Sequence, residues 1–454
     1  MAPKHLRTPD PRERIFTRLW GLALVAHVVA NWAQPDIPRP VGWANLAVGL
    51  FGVLLAVRPG PRLLIGASAL VVASVVLEMP VTGNHWLLAG LVSAAILATG
   101  GQPSTLFPVA RTILLVFYAF AAFAKLNTGF FDPTVSCAVF YSNQWLDGLG
   151  FGPMAADSAP ATVAIWGTVL IESAVPVLLM VRRLRSWGVV VGTLFHTVIS
   201  FDLNQHFFDF TSVLLPLFFL FAPTIMVQRM DQSWAGVPAW ARRLVVAGFL
   251  VVGGATVVAA VLPLTASTAV LVTAVPFVLW IPFGIWWGVV LVRALAPGEK
   301  MNWSLRPLAA LILAVTVLNG LTPYTEIKTA YGFNMYANLL TAAGESNHLV
   351  VRATAPLRRG YEDPVAIVDS SDEGLLGYKE SGYLIAYPEF RRYLIANPEV
   401  SVTYTRSGVL YSTPRVGDDA ALSAPVPLWW QYFPLRAIDT QRPPRCQDVF
   451  LSAL

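Results

Sequence analysis

The stretch LFPVARTILLVFYAFAAFAKL, residues 106–126, decides how the chain is read. Between Arg111 and Lys125 it carries no charge, and only Thr112 and Tyr118 are polar. At about 1.5 Å of rise per residue, such a run is long enough to cross a hydrocarbon core of about 30 Å as a helix. Working outward, ten more stretches read the same way: 16–33, 43–57, 62–81, 86–100, 161–181, 187–203, 207–227, 243–262, 269–292 and 306–321. Those at 43–57 and 86–100 are short and read as tilted or re-entrant spans. The composition agrees, with 56% hydrophobic and 13% charged residues and a mean hydropathy of +0.60. A soluble domain carries about 25% charged residues. Disorder, a coiled coil and a nucleic-acid module all need more charge and are excluded. The first apolar run ends in Ala30-Asn31-Trp32, with no small-residue cleavage site, and is not read as a removable signal.

Basic residues orient the spans. With the N-terminus in the cytoplasm and sides alternating, 17 of the 19 Lys/Arg in residues 1–321 fall inside; Arg39 and Lys125 fall outside. An error of one span would scramble that division. The expected fold is therefore a polytopic α-helical membrane protein of about 11 spans, N-terminus in and C-terminus out, in the plasma (inner) membrane. Residues 1–321 form the membrane domain. Residues 322–454, with 12 basic and 14 acidic residues, form an extracytoplasmic, mostly-β domain. There, Leu349–Ala353 and Val365–Val368 read as strands. Ser401–Thr405 and Val409–Ser412 read as a hairpin around Arg406-Ser407-Gly408. Tyr387 through Ile395 reads as a short helix with Pro388 in its first turn. Cys137 and Cys446, the only two cysteines, both fall on the oxidising side; a disulfide is expected there over two unrelated thiols.

Charged groups and histidines within spans are costly, which makes them candidates for function. These are His27, Glu78, His85, Lys125, Glu172, His196, Asp202, His206 and Asp209. All but the mid-span Glu172 gather toward the outer ends, as if lining one polar chamber beneath the tail. Lys125 reads as functional, because it breaks the charge rule. His27 reads as structural, and His85 beside Trp86 reads, on its own, as an interfacial side chain. His196 is balanced between a helix contact and function. For Asp202, His206 and Asp209, in a short outer turn, solvation is the default. Glu172, with Pro176, is expected to bond a neighbouring helix at a kink. No HExxH or similarly spaced ligand pair occurs, and no Walker loop, GxGxxG or GxSxG; no metal site is expected.

Four segments carry a resemblance: Asn84-His85-Trp86-Leu87-Leu88-Ala89-Gly90-Leu91; Phe120 through Asn127 with Phe130-Phe131; Arg185 through Phe221 with Phe195-His196 and Phe207-Phe208; and, more weakly, Tyr331-Gly332-Phe333-Asn334-Met335. Over about residues 10–350 the chain resembles the vitamin K-dependent γ-carboxylases and the wider group sharing their horizontally transferred transmembrane (HTTM) domain. The first segment is similar to the family's NHxxLxGL stretch, whose histidine supports catalysis. The second is similar to the stretch ending in Lys-Leu, whose lysine is the active-site base. The third and fourth look like the Phe-His span and the Tyr-Ser-Trp-Asp-Met entrance to the luminal β region. There are departures. Ala124 stands where the family often has a second basic residue. Phe207-Phe208-Asp209-Phe210-Thr211 replaces an FxIGxFPW-like segment. The large region that grips a propeptide is absent or much reduced, so the quinone half of the chemistry is the better supported.

The resemblance implies a quinol-dependent membrane enzyme. A reduced naphthoquinone of the vitamin K or menaquinol type is deprotonated and reacts with O2, giving an epoxide and a strong alkoxide base. That base takes a γ-proton from a glutamate, and the carbanion captures CO2. The acceptor would be an exported peptide or protein. Lys125 would be the base and His85 would orient the quinone oxygen, with His196, Asn127, Asn84 and Trp86 lining the pocket. The base must be a neutral amine, against an ordinary lysine pKa of about 10.4. An apolar setting, with His85 rather than a carboxylate nearby, is expected to provide that. The alternative is a non-enzymatic membrane protein that binds a quinone or lipid, or presents its tail to an exported partner. A transporter ranks last, because no internal repeat is found and the polar groups lie outward of the midplane.

Overall fold

Prolines mark where several helices begin. Pro61, Pro103, Pro160 and Pro307 sit in first turns, where a missing N–H leaves no bond unmade, and each precedes a long apolar run. The computed structural model describes residues 10–32, 39–80, 82–248, 251 and 266–446. Its helices are α1 (Pro11–Trp32), α2 (Arg39–Val57), α3 (Pro61–Glu78), α4 (Asn84–Thr99), α5 (Pro103–Ala124), the short α6 (Thr128–Phe131) and α7 (Cys137–Gly148), α8 (Ala159–Met180), α9 (Arg185–Ile199), α10 (Phe207–Phe219), α11 (Thr224–Gly236), α12 (Ala266–Arg293) and α13 (Pro307–Leu321).

Among the described residues, five stretches are long and apolar enough to cross a membrane: Pro61–Glu78, Pro103–Ala124, Ala159–Met180, Ala274–Arg293 and Pro307–Thr325. Val41–Val57, Asn84–Thr99 and Phe207–Phe219 are shorter apolar helices. Outward faces stay greasy: Val163, Leu170, Leu311 and Leu318 are each at least 60% exposed, which suits hydrocarbon better than water. The run expected to span at 207–227 is broken. Helix α10 ends at Phe219, and Pro223 caps the polar α11. Proline lacks the N–H and disfavours a helical residue before it. Most of the run expected at 243–262 lies outside the described residues.

Charge separates the two ends of the helical body. At one end Arg12 pairs with Glu299 at 3.1 Å and Arg14 with Asp231 at 2.8 Å, and Arg111 Nε donates to the Leu220 carbonyl at 2.9 Å. At the other end the C-termini of α1, α3, α5 and α9 meet the N-termini of α4 and α10, and the chain from 322 to 350 packs over them. There the Phe333 N–H donates to Asn84 Oδ1 at 2.8 Å, the Leu349 N–H to the Leu126 carbonyl at 2.8 Å, and His348 Nε2 lies 2.8 Å from the Phe123 carbonyl.

The tail is mixed rather than mostly β. Strands β1 (Thr341–Ala342) and β2 (Glu345–Ser346) pair with each other. Strands β3 (Val365–Ser370), β5 (Val402–Arg406) and β6 (Val409–Thr413) form an antiparallel sheet in that order, and β4 (Tyr383–Leu384) pairs with β7 (Ile438–Asp439). Helices α14 (Glu373–Ser381) and α15 (Tyr387–Ala396) pack on the three-stranded sheet, with Leu375, Tyr378 and Phe390 against Val365, Val402 and Tyr404. The expected hairpin is present, with Arg406 opposite Val409. Ser407 (φ 50°) and Gly408 (φ 76°) turn it in the left-handed region, as a two-residue loop requires. The expected strand Leu349–Ala353 does not form; Ala353 makes only an isolated bridge to Glu345. Its amides are spent elsewhere, Leu349 on the helical body and Val350 and Val351 on His348 Nδ1.

Cys137 and Cys446 form a disulfide with Cα atoms 4.8 Å apart. It is packed with Phe130 and Ile165, and it ties the end of the tail to α7. A non-reduced digest should yield one peptide pair linked through these cysteines. Cys446→Ser should lower stability by about 2–4 kcal/mol. Adding Cys137→Ser should cost little more, because a single bond is lost; a fully additive double variant in thermal unfolding would contradict the linkage.

Candidate functional site

Two polar clusters lie where the helix ends meet the tail. The first draws on four helices. On α1, His27 and Asn31 are one turn apart and share a face. Glu78 is the last residue of α3, with Ser74 one turn before it. His85 is the second residue of α4, and Asp209 lies in the first turn of α10, where the helix dipole favours a carboxylate. Asp209 Oδ2 lies 2.9 Å from His27 Nδ1, 2.8 Å from His85 Nε2 and 3.2 Å from Asn31 Nδ2. His27 Nε2 lies 3.4 Å from Glu78 Oε1, which accepts from Ser74 Oγ at 2.6 Å. Trp86 stacks on the His27 ring at 3.4 Å between centroids and donates from Nε1 to Ser74 Oγ at 3.0 Å. Asp209 Oδ1, fully buried, has no hydrogen-bond partner.

Two expectations change here. Asp209 and Asp202 are each 2% exposed rather than solvated, because packed helices enclose the turn between α9 and α10. His27, read as structural, links two carboxylates. His85 keeps some exposure, 19% for its side chain. His206 remains at the edge, with Nδ1 3.0 Å from the Ala30 carbonyl.

The second cluster surrounds Lys125, which ends α5. Its Nζ lies 2.8 Å from Glu172 Oε2, 3.4 and 3.5 Å from the Ala121 and Met335 carbonyls, and 5.9 Å from the Phe130 ring centroid. The expectation that no carboxylate stands beside this amine is overturned. Glu172 meets a neighbouring helix through an ion pair with Lys125, although its Oε2 makes no hydrogen bond; the end of α5 lies level with the middle of α8. On α9, His196 Nε2 shares a hydrogen bond with the Tyr118 hydroxyl, while its buried Nδ1 has no partner. The His196–Tyr118 pair lies within electrostatic reach of Lys125 and Glu172.

The ring of Phe210 touches both clusters, 6.0 Å from the His85 ring and 5.0 Å from the His196 ring. Among the described residues no hydrogen bond or ion pair joins Lys125 to His85; each is committed to its own carboxylate. Asn127 caps α6, accepting from the Phe130 N–H at 2.9 Å and donating to the Ala124 carbonyl at 2.8 Å and to the Ala337 carbonyl. Asn347 Nδ2 donates to its Oδ1 as well, at 3.2 Å; together these bonds fill its capacity and mark it as a brace. Beside Lys125 in the chain, an open groove of about 860 Å³ is lined by Leu126, Phe131, Trp166, Leu349 and Val350. That volume lies in the range of small-molecule sites.

Sequence reading missed Tyr118, which looks like one more core aromatic in an apolar run, and Lys328. The latter is 4% exposed and donates to Asn319 Oδ1. Burial lowers its pKa from 10.5 to about 7. The chain matches none of the known protein families, curated proteins or solved structures with which it was compared.

Glu172→Gln should destabilise the folded protein by about 3 kcal/mol or more, since it leaves a buried ammonium without its counter-charge. The double variant Lys125→Met/Glu172→Leu should be more stable than Glu172→Gln in chemical unfolding. Lys328 makes a pH-dependent prediction. Between about pH 7 and 10.5 the unfolded chain holds a proton that the folded chain has released, so stability should rise with pH across that window. Lys328→Met should remove the rise. It should be the more stable form below pH 7, by up to a few kcal/mol, with the gap narrowing toward pH 10; parallel pH–stability curves would refute this.

Proposed function

We propose that the chain is a membrane-embedded, quinol-dependent enzyme of the γ-carboxylase kind, with Lys125 as its base. It would cross the plasma membrane about 11 times, with the N-terminus in the cytoplasm and the tail outside. Arginines concentrated at the end of the body away from the tail support that orientation, as does a disulfide between the tail and α7. The observation that carries the functional reading is the convergence of three segments distant in sequence. Asn84 accepts from the Phe333 backbone, and Lys125 reaches the Met335 carbonyl. The NH segment, the Lys-Leu segment and the 331–335 segment thus meet at one end of the bundle.

Glu172 alters the scheme expected from sequence. An amine must shed its proton before it can act as a base, and the Glu172 carboxylate stands 2.8 Å away as an ion-pair partner whose Oε2 makes no hydrogen bond, so a small rotation would have to turn it into the acceptor. The pair can then take the quinol hydroxyl proton at Lys125 Nζ while Glu172 holds the lysine's former proton. Tyr118 and His196 supply a second hydrogen-bonded pair beside it, and His85 lies across the Phe210 ring, held by Asp209. O2 and CO2 would be co-substrates. The apolar groove beside Leu126 suits a lipid-soluble ring, and an exported glutamate-bearing peptide would approach from the tail side.

The groove also favours a second reading, a non-enzymatic membrane protein that binds a quinone or lipid, or an exported partner. Oxidation of menaquinol by the purified protein separates the two. Lys125→Ala should lower the rate at least about 100-fold, and a small primary amine in the buffer should restore part of it. Lys125→Arg and Lys125→Gln should be inactive too. An unchanged rate in Lys125→Ala would rule out the enzyme reading, whereas a bound quinone retained in every variant, with no turnover in the wild type, would select the binder.

A further inference from the structure

We propose that His27, His85 and Asp209 form a binding site for a divalent transition-metal ion. Their donor atoms come from α1, α4 and α10 and lie within 4.8 Å of one another. Two imidazoles and one carboxylate are a donor set suited to Zn²⁺, Fe²⁺ or Co²⁺, whereas Mg²⁺ and Ca²⁺ prefer all-oxygen shells. The separations of 2.8 and 2.9 Å between Asp209 Oδ2 and the two nitrogens are shorter than donors stand apart around a tetrahedral ion. A small side-chain rotation would therefore open the site.

Three further features fit an ion. First, Asp209 Oδ1 is buried with no hydrogen-bond partner, although a buried carboxylate oxygen normally has one. Second, a metal-bound histidine usually gives its other N–H to a carboxylate. His27 has that arrangement: with Nδ1 turned to the site, Nε2 faces Glu78 Oε1 at 3.4 Å, and Ser74 steadies that carboxylate. Third, the cluster brings two carboxylates into an apolar body, and among the described residues no lysine or arginine touches either; a dication would balance them. His85 is the most exposed of the three, at 19%, so the open coordination position would face its side of the cluster.

The inference rests on the donor set and goes beyond the quinol reading. It assigns His85 to a metal rather than to the quinone, and metal binding is measurable without turnover. The test uses the full-length protein in detergent, stripped with chelator and titrated with Co²⁺ alone. The expected result is one equivalent bound, visible d–d absorption of a nitrogen- and oxygen-ligated ion, and displacement by Zn²⁺. Asp209→Asn and His85→Gln should each weaken binding at least tenfold, and Glu78→Gln about tenfold. Lys125→Ala should bind Co²⁺ like the wild type, so failure of the quinol reading leaves this one standing. Helical circular dichroism and a single gel-filtration peak establish folding. Should Asp209→Asn not fold, His85→Gln at the more exposed edge carries the test. Absence of a one-equivalent site in the folded wild type, or wild-type affinity in His85→Gln, would overturn the proposal.

Discussion

A charge left unpaired in an apolar helical body is too costly to keep, and that constraint arranges this molecule more than any other. Lys125 can end α5 beneath the tail because Glu172 meets it from α8. Asp209 can start α10 because His27, His85 and Asn31 converge on one of its oxygens. Each pairing fixes the relative depth of two or more helices. Moving α8 by one turn along its axis, about 5.4 Å, would strand both Lys125 and Glu172. The ion contacts therefore act as register marks, alongside polar contacts such as Arg111 on the Leu220 carbonyl and Trp280 on Ser200.

The chain after α13 completes the same end. Helix termini leave backbone groups unsatisfied, and several here are answered by the tail. His348 lies on the Phe123 carbonyl and the Leu349 N–H donates to the Leu126 carbonyl; in the other direction Asn127 donates to the tail's Ala337 carbonyl and Asn84 accepts from the Phe333 N–H. The disulfide to Cys446 holds the far end of the tail against α7. Residues 322–350 thus behave as part of the helical body's architecture, and the small sheets beyond them form a separate core around Phe390 and Tyr404.

Length and composition made the apolar runs legible, since a span must be long and uncharged; α3, α5, α8 and α13 lie where those runs predict. The hairpin was legible because Ser407-Gly408 can adopt two left-handed residues. The cysteine pair was legible because a compartment argument needs no coordinates. Lateral partnership was not. Glu172 and Lys125 are 47 residues apart, on helices whose relative depth no sequence pattern records. Asp209 reads as a turn residue until three other helices close around it. The tail was misjudged for a different reason. Asp372 as an N-cap, accepting from the Leu375 N–H at 2.9 Å, and Gly382 as a left-handed stop bracket α14. Those signals are present in the sequence, and a reading that follows the strands alone passes over them.

The two clusters differ in what they can exchange. The Lys125–Glu172 pair sets one cation against one carboxylate, and among the described residues no other ion pair reaches either member. The Asp209 cluster has two carboxylates and two imidazoles, so its charge depends on how many protons or cations it holds. Phe210 keeps the two apart while touching His85 and His196, and an aromatic wall passes neither ions nor protons. One end of the bundle thus carries a balanced ion pair on one side of Phe210 and a carboxylate-rich histidine cluster on the other.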